Sequence, residues 1–347
     1  MGSAMAVPLA DNGHDVRLVG THLDREIVDA IRSTGVHPGL GRELPSSVRA
    51  FQLEEVEAAF AEAEIVVSGV NSVGVDWAGE RLAGLLRPGQ LVVAVTKGVR
   101  AEESGDLRIL PDVLAEAVAA DVREQVGWAA IIGPAIAGEV AARRETCVVF
   151  CGRDETVIDR LAEAFRTDWY HVWTSTDFVG AEICAAAKNC YALGIGLAEG
   201  ELERRGEAAG RDRAHNYEAA LFAQGAGEMR QWASLVGGDT ETAPWLPGVG
   251  DLYVTSTGGR NVRVGRLLGS GLGFAVAAER LGNPTLEGAS AIVVFGEALG
   301  KLTERGVVGP DDFPLMRHLY EVIGQERPVN MPWSRFFGGE PARAASV

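Results

Sequence analysis

The sequence predicts an α/β protein: a doubly wound sheet followed by an all-helical domain. Three observations carry that expectation. Short apolar runs such as Ile65-Val66-Val67 and Leu91-Val92-Val93-Ala94-Val95 alternate with helical stretches through the first half of the chain. From Asp177 onward the strand pattern stops and helical periodicity takes over. A length of 347 residues is more naturally two domains than one. The domains are expected at 1–176 and 177–338, with a small polar tail at 339–347 that should fray.

The elements follow in order. Gly2, Ser3 and Ala4 lead a helix of small and apolar residues that Asn12-Gly13 stops. Residues 16–19 and 48–51 read as strands, 53–63 as an acidic amphipathic helix, and 65–70 as a strand buried on both faces. Helix 77–86 runs into the turn Arg87-Pro88-Gly89-Gln90. Strand 91–95 ends in Thr96-Lys97-Gly98, helix 109–120 follows, and strand 129–132 ends in Gly133-Pro134. Strands 146–151 and 170–173 flank helix 155–165. The second domain opens with 178–202, apolar nearly all round and therefore a buried helix. Further helices cover 215–236, 261–268, 286–303 and 314–323.

A helix, an Asn-Gly stop and a strand make the second half of a βαβ unit. In dinucleotide-binding, Rossmann-like sheets such a helix is preceded by a strand and a Gly-x-Gly-x-x-Gly turn. On this reading Gly2 is the last of those glycines, and the first strand and first two glycines lie before Met1. An ordinary helix start explains a lone glycine equally well.

Composition narrows the function classes. A formal net charge of −16 and the lack of a basic stripe argue against a nucleic-acid partner. The four cysteines, Cys147, Cys151, Cys184 and Cys190, form no Cys-x-x-Cys pair, and the histidines form no spaced cluster, so no metal site is assigned. No signal peptide opens the chain, and no apolar run is long enough to enter and span a bilayer. A soluble, cytoplasmic protein is expected.

The chemistry concentrates in residues 248–263, GVGDLYVTSTGGRNVR. Asp251 is an acid among glycines. Gly258 and Gly259 let backbone N–H groups approach a ligand, and Arg260 beside them can hold a phosphate through paired charge-assisted hydrogen bonds. Asp251 could equally cap a helix, and Arg260 could be a surface residue. Lys188 is the one lysine in the apolar stretch Ala185-Ala186-Ala187-Lys188-Asn189. Burial there pushes a lysine towards neutrality, which suits a general acid/base; a lysine snorkelling to the surface is the bland alternative. Lys97 and Gly133 stand at strand ends, where α/β sheets bind ligands. Glu287 is a first-turn helix acid. Together these point to an enzyme acting on a small phosphorylated substrate.

Five motifs in order, VTKG at Val95, GPAIAGEVA at Gly133, Lys188-Asn189, GVGDL with TGGRN from Gly248 to Asn261, and LEG at Leu286, resemble the soluble NAD(P)-dependent glycerol-3-phosphate dehydrogenase family. The resemblance runs from Gly2 to about residue 324 of this chain. It implies hydride transfer between NADH or NADPH and dihydroxyacetone phosphate, giving sn-glycerol 3-phosphate for glycerophospholipid synthesis, in a cytoplasmic enzyme that can form a homodimer. Lys188 matches the family's general acid/base. Lys97, Gly133, Ala135, Asn189, Asp251, Thr255, Gly259, Arg260 and Asn261 match substrate contacts. Gly2, Ser3, Ala4, Lys97, Ala137, Arg260 and Glu287 match the cofactor side. Departures are Ala135 and Gly259, where the family often has a side chain that bonds, and Gly20-Thr21-His22, which offers neither the acid nor the arginine that would choose between NAD and NADP. Two rivals stand: another two-domain hydroxy-acid dehydrogenase, which needs no phosphate cradle, and a cofactor-impaired phosphate-binding protein.

Overall fold

The computed structural model describes residues 1–207, 215–282 and 286–337. The expected tail therefore lies outside the described residues. The chain divides into two compact units: 1–97 with 109–178, and 98–108 with the remainder from 179.

The first unit is layered α/β. Helix α1 (Gly2–Asp11) leads to β1 (Arg17–Val19), α2 (Arg25–Thr34), β2 (Arg49–Phe51), β3 (Ile65–Ser68), α3 (Val75–Ala83) and β4 (Leu91–Ala94). After the hairpin β5 (Val99–Ala101) and β6 (Leu107–Ile109), which falls mostly in the second unit, come α4 (Leu110–Glu116), β7 (Gly127–Ile132), α5 (Ala137–Ala141), β8 (Thr146–Gly152), α6 (Glu155–Phe165) and β9 (Tyr170–Ser175). Five strands make one sheet in the order β9-β8-β7-β4-β3. Its parallel pairs are β3 with β4, β4 with β7, and β8 with β9. Val66, Val92, Leu110 and Leu114 pack on one face, and Met5, Val93, Ile131, Phe150 and Phe165 on the other. This is why 65–68 and 91–94 read as unbroken apolar runs.

Two features mark the sheet, the first of them a departure from the expected parallel pairing. β7 and β8 are antiparallel, Ile132 opposite Val149. The only helix between them, α5, spans 137–141. At about 1.5 Å per residue it is roughly 7 Å long, too short to carry the chain back along a strand of about 20 Å for a parallel return. The second feature is a split. β1 pairs in parallel with β2 alone, and β3 with β4 alone, so two sheets stand apart. Between them lies a cavity of about 910 Å³ lined by residues that include Met1, Leu18, Val19, Ile65 and Val67.

The second unit is mainly helical, with the β5–β6 hairpin added to what the sequence presents as helices alone. Its helices include α7 (Phe178–Arg204), α8 (His215–Leu235), α9 (Asp251–Ser256), α10 (Arg260–Gly269), α11 (Glu287–Glu304) and α12 (Pro314–Ile323). The hairpin is held by α11 and the residue after it: Lys301 donates to the Glu102 carbonyl and Arg305 to the Ser104 carbonyl and Asp106. α7 is buried along most of its length, as its apolar composition requires. Glu228 of α8 is fully buried and accepts from the Leu315 and Met316 amides at the start of α12, from Tyr191 and from Gln224. Burial raises its pKa above the ordinary carboxylate range. No described helix is long and apolar enough to cross a membrane.

Candidate active site

The second unit assembles its site where three helices meet. α7 and α10 are in backbone contact. A Cβ on Gly196 would lie 2.1 Å from the Val262 carbonyl oxygen, and one on Gly265 would lie 2.1 Å from that of Leu193. Gly200 and Gly269 repeat the arrangement one turn along. Only glycine fits such a seam, and no side chain is present there to relax. The seam fixes Lys188-Asn189, two turns before Gly196 on α7, against Arg260-Asn261 at the start of α10.

Lys188 is 6 % exposed and Asp251 2 %. The ammonium meets Asp251 Oδ1 at 3.0 Å and donates to Thr255 Oγ1 at 2.7 Å. Asp251 and Thr255 are four residues apart on α9 and so share a face. A wide π-type turn, Leu246–Gly250, delivers Asp251 to that place. Gly248 within it packs so tightly that a Cβ would lie 2.1 Å from the Ala243 carbonyl oxygen. Asp251 thus pairs with the lysine rather than capping its helix; α9 has no side-chain cap. The carboxylate offsets the hydration that the buried ammonium has given up, and removing one member of such a pair costs about 3–5 kcal/mol.

Beside this pair, Asn261 Nδ2 donates to Asn189 Oδ1 at 3.1 Å, and Asn261 Oδ1 accepts from the Gly288 amide at 3.2 Å. Both asparagines are buried. A Cβ on Gly288 would lie 2.7 Å from the Asn189 carbonyl oxygen and from Asn261 Oδ1, so α11 also approaches at glycine distance. Glu287, the first residue of α11, is half-buried next to this contact. Arg260 is exposed in the first turn of α10 and makes no ion pair among the described residues. Gly258 has a φ of +140, in the region that favours glycine. A side chain at 259 has no room here, because its Cβ would lie 2.6 Å from the Thr255 carbonyl oxygen.

The first unit carries the other candidates. Lys97, at the end of β4, donates to the Gly133 carbonyl at 3.0 Å. Ala135 and Ala137 are half-buried at the start of α5. Gly2, Ser3 and Ala4 form the first turn of α1; a Cβ on Gly2 would lie 2.9 Å from Gly69 Cα, just beyond β3. The structure therefore gathers Lys188, Asn189, Asp251, Thr255 and Asn261 around α7, α9 and α10, with Gly259, Arg260 and Glu287 adjoining. It joins Lys97 to Gly133.

Three participants escaped the sequence reading. The Gly288 amide acts through its backbone, and only the glycine in Leu-Glu-Gly hinted at it. His37 is buried; its Nδ1 accepts from the Leu40 amide, which leaves Nε2 to donate to Ser3 Oγ at 3.0 Å. Burial lowers its pKa, favouring that neutral ring. Asp24, three residues beyond Thr21, accepts from the Thr21 amide and hydroxyl at 2.8 Å and 2.5 Å, past the strand-end position where an acid was sought. Among the described residues no group of three or more His, Cys, Asp or Glu could hold a metal ion.

The chain as a whole resembles known proteins. Residues 1–158 match the family model described as NAD-dependent glycerol-3-phosphate dehydrogenase N-terminus, and residues 177–333 match the C-terminus model. The NADP(+)-dependent glycerol-3-phosphate dehydrogenase of Archaeoglobus fulgidus is 37% identical over 281 residues, 81% of each chain. The chain belongs to the glycerol-3-phosphate dehydrogenase family. A relative in Prosthecochloris aestuarii, glycerol-3-phosphate dehydrogenase [NAD(P)+], is 30% identical and covers 94% of this chain and 92% of its own. The crystal structure of glycerol-3-phosphate dehydrogenase from Coxiella burnetii superimposes with a TM-score of 0.77 at 25% identity, covering 96% of this chain and 94% of that one. The Rossmann-like sheet followed by a helical unit is thus the architecture of this family.

Proposed function

We propose that the chain catalyses the reversible reduction of dihydroxyacetone phosphate to sn-glycerol 3-phosphate with NADH or NADPH, the reaction that the names of its relatives imply. The observation that carries the mechanism is the buried Lys188, ion-paired to Asp251 and bonded to Thr255. The nicotinamide, when bound, supplies the hydride. As the substrate ketone takes it up, negative charge grows on oxygen, and the Lys188 ammonium neutralises that charge and gives up a proton to it. Asp251 and Thr255 hold the ammonium in position. In the reverse reaction the neutral lysine takes the hydroxyl proton back.

The phosphate belongs to the start of α10. Arg260 offers a fork of donors, and the helix N-terminus adds backbone N–H groups and a positive dipole. Asn261, both ends of its amide engaged, keeps Asn189 in place beside it, and Gly259 leaves the approach open. Lys97, with the Gly133 and Ala135 main chain, contributes further substrate contacts. The residues of the first unit fit a dinucleotide: glycines at 2 and 69 meet where α1 starts, where a Cβ would block the close approach. Gly2 and Ser3 would hold the pyrophosphate, with Ala137, Lys97, Arg260 and Glu287 as further cofactor contacts; the amide of the buried Ala4 is already taken by the Met1 carbonyl.

A cytoplasmic location and a role in glycerophospholipid synthesis belong to the same proposal. All four cysteines are free thiols, with Cys147 exposed, which suits a reducing compartment. A homodimer is proposed as well, and sedimentation velocity tests it. The decisive experiment for the activity follows NADH and NADPH oxidation with dihydroxyacetone phosphate. A folded chain that turns over 2-hydroxy acids and not dihydroxyacetone phosphate would end this reading.

A further inference from the structure

The first unit holds a buried histidine, His37, that hydride transfer does not use. It belongs to a short turn after α2, in which Val36 and His37 pair antiparallel with Glu43 and Arg42. The chain reverses there through Gly41, at a φ of +61. Leu40 and Leu44 join Val7 of α1 and Ile31 of α2 in one apolar cluster. Val7 and Ser3 are four residues apart on α1 and share a face. The turn that covers Val7 therefore also brings His37 to Ser3. The ring is 8 % exposed, and a Cβ on Gly39 would lie 3.3 Å from its Cε1, so it has little room to turn. Its hydrogen bonds run in one direction. The Leu40 amide donates to Nδ1 at 3.2 Å, which leaves the ring proton on Nε2. Nε2 then donates to Ser3 Oγ at 3.0 Å, and the serine hydroxyl accepts. A hydroxyl that accepts still has its own proton to give, and among the described residues no acceptor takes it.

We propose that His37 is a positioning residue for the cofactor: it holds Ser3 Oγ as an acceptor and so frees the serine proton for the pyrophosphate of NADH or NADPH. This rests on the proposed function, which puts the pyrophosphate at the first turn of α1. That turn contains no acidic side chain, and the dipole of the helix favours an anion there. The contribution of His37 has two parts. A hydroxyl that receives a hydrogen bond donates a stronger one. A hydroxyl already held has less freedom to lose when the anion arrives. Burial lowers the pKa of His37, which keeps the ring in the neutral form that the Leu40 contact requires. The Leu40 amide also reaches the His37 carbonyl, so the turn has a main-chain bond that does not depend on the imidazole. Replacing the ring therefore tests its link to Ser3 more than the turn itself.

The test is a double-mutant cycle read by fluorescence titration with NADH, on Ser3→Ala, His37→Leu and the two combined, with His37→Gln as the conservative variant. Ser3→Ala should weaken NADH binding about tenfold, the scale of one hydrogen bond to a charged group. His37→Leu should weaken it about fivefold, and His37→Gln, whose amide can still donate to Ser3, should bind within about twofold of wild type. With Ser3 already replaced, His37→Leu should cost nothing further, because the relay has no second member. An equal cost of His37→Leu in both backgrounds overturns the proposal, since His37 then acts on the fold and not through Ser3. NADH binding that ignores Ser3→Ala also overturns it. Nitrogen NMR of histidine-labelled wild type gives a reading that needs neither a variant nor a ligand. His37 should carry its proton on Nε2, and a proton on Nδ1 overturns the relay. A folded wild type that binds no NADH is a separate failure: it sinks the nucleotide assignment of α1 and takes this proposal with it.

Discussion

The two units build a site in opposite ways. The second closes on itself: α7 and α10 meet backbone to backbone at glycines, and the buried Glu228 accepts four hydrogen bonds. The first is open along one line, with β1 and β3 on either side of a cavity. A helix satisfies its own main chain, so a helical site needs only the right surfaces in contact. A strand satisfies its main chain through neighbours, so a sheet edge depends on what lies beside it. The Lys188–Asp251 pair is therefore built wholly within the helical unit, while β1 and β3 line a cavity.

Predictions that break or sharpen this contrast run from large to small. Lys188→Ala should lower kcat by at least about 100-fold, the scale of a lost general acid, with circular dichroism retained; wild-type turnover would remove Lys188 from the mechanism. In the sheet, Ile132→Ala at a buried core position should cost about 2–5 kcal/mol, whereas Ile65→Ala at the cavity wall should cost about 1 kcal/mol. Equal costs in denaturant titrations would mean the cavity closes in solution. At the glycine seam, Gly265→Ala should destabilise the second unit by about 1–3 kcal/mol, seen as a lower Tm, because its methyl meets a carbonyl rather than a yielding side chain. Arg260→Lys should raise KM for dihydroxyacetone phosphate about tenfold with kcat nearly unchanged, since a point charge cannot replace the fork; an unchanged KM would make Arg260 a surface residue.

The smallest effect is on pH dependence. Burial, then the charge and hydrogen bond of Glu218, raise the Glu199 carboxyl from 4.5 to about 7. A raised carboxyl pKa favours the fold while the group is protonated. That contribution is complete below pH 4.5 and is lost as pH climbs through about 7. Glu199→Gln should therefore lose less Tm than wild type between about pH 5 and 8. Parallel Tm curves for the two proteins would show that Glu199 does not titrate in this range.

Much of this was legible in the sequence where one physical cause dominates. The apolar runs at 65–68 and 91–94 were legible as strands, although Ile65 and Val67 are only half-buried, and the apolar surroundings of Lys188 allowed a buried cation beside the alternative of a snorkelling one. α2 was not legible: among its many charges only Val28 and Ile31 are buried, so its helical face is narrow. Nor was the β7–β8 reversal, which depends on the length of one short helix. The partner of Lys188 was legible only as a nearby acid, because the pairing depends on the turn at Leu246–Gly250 that sets where α9 begins. Asn261 read as a phosphate ligand; its full engagement by Asn189 and Gly288 is a tertiary fact with no local signature.

The glycine seam has a consequence for anyone redesigning this protein. Most binding pockets can be reshaped by trading one core side chain for another behind them. Here the seam that sets α7 against α10 is peptide backbone on both sides, so there is nothing to trade. Substitution libraries aimed at a different phosphorylated carbonyl would spend their variants in vain along Gly196, Gly200, Gly265 and Gly269. Diversity placed at Thr255, Thr257 and Arg260, whose side chains stand half-buried or exposed, reaches the same site without touching its frame.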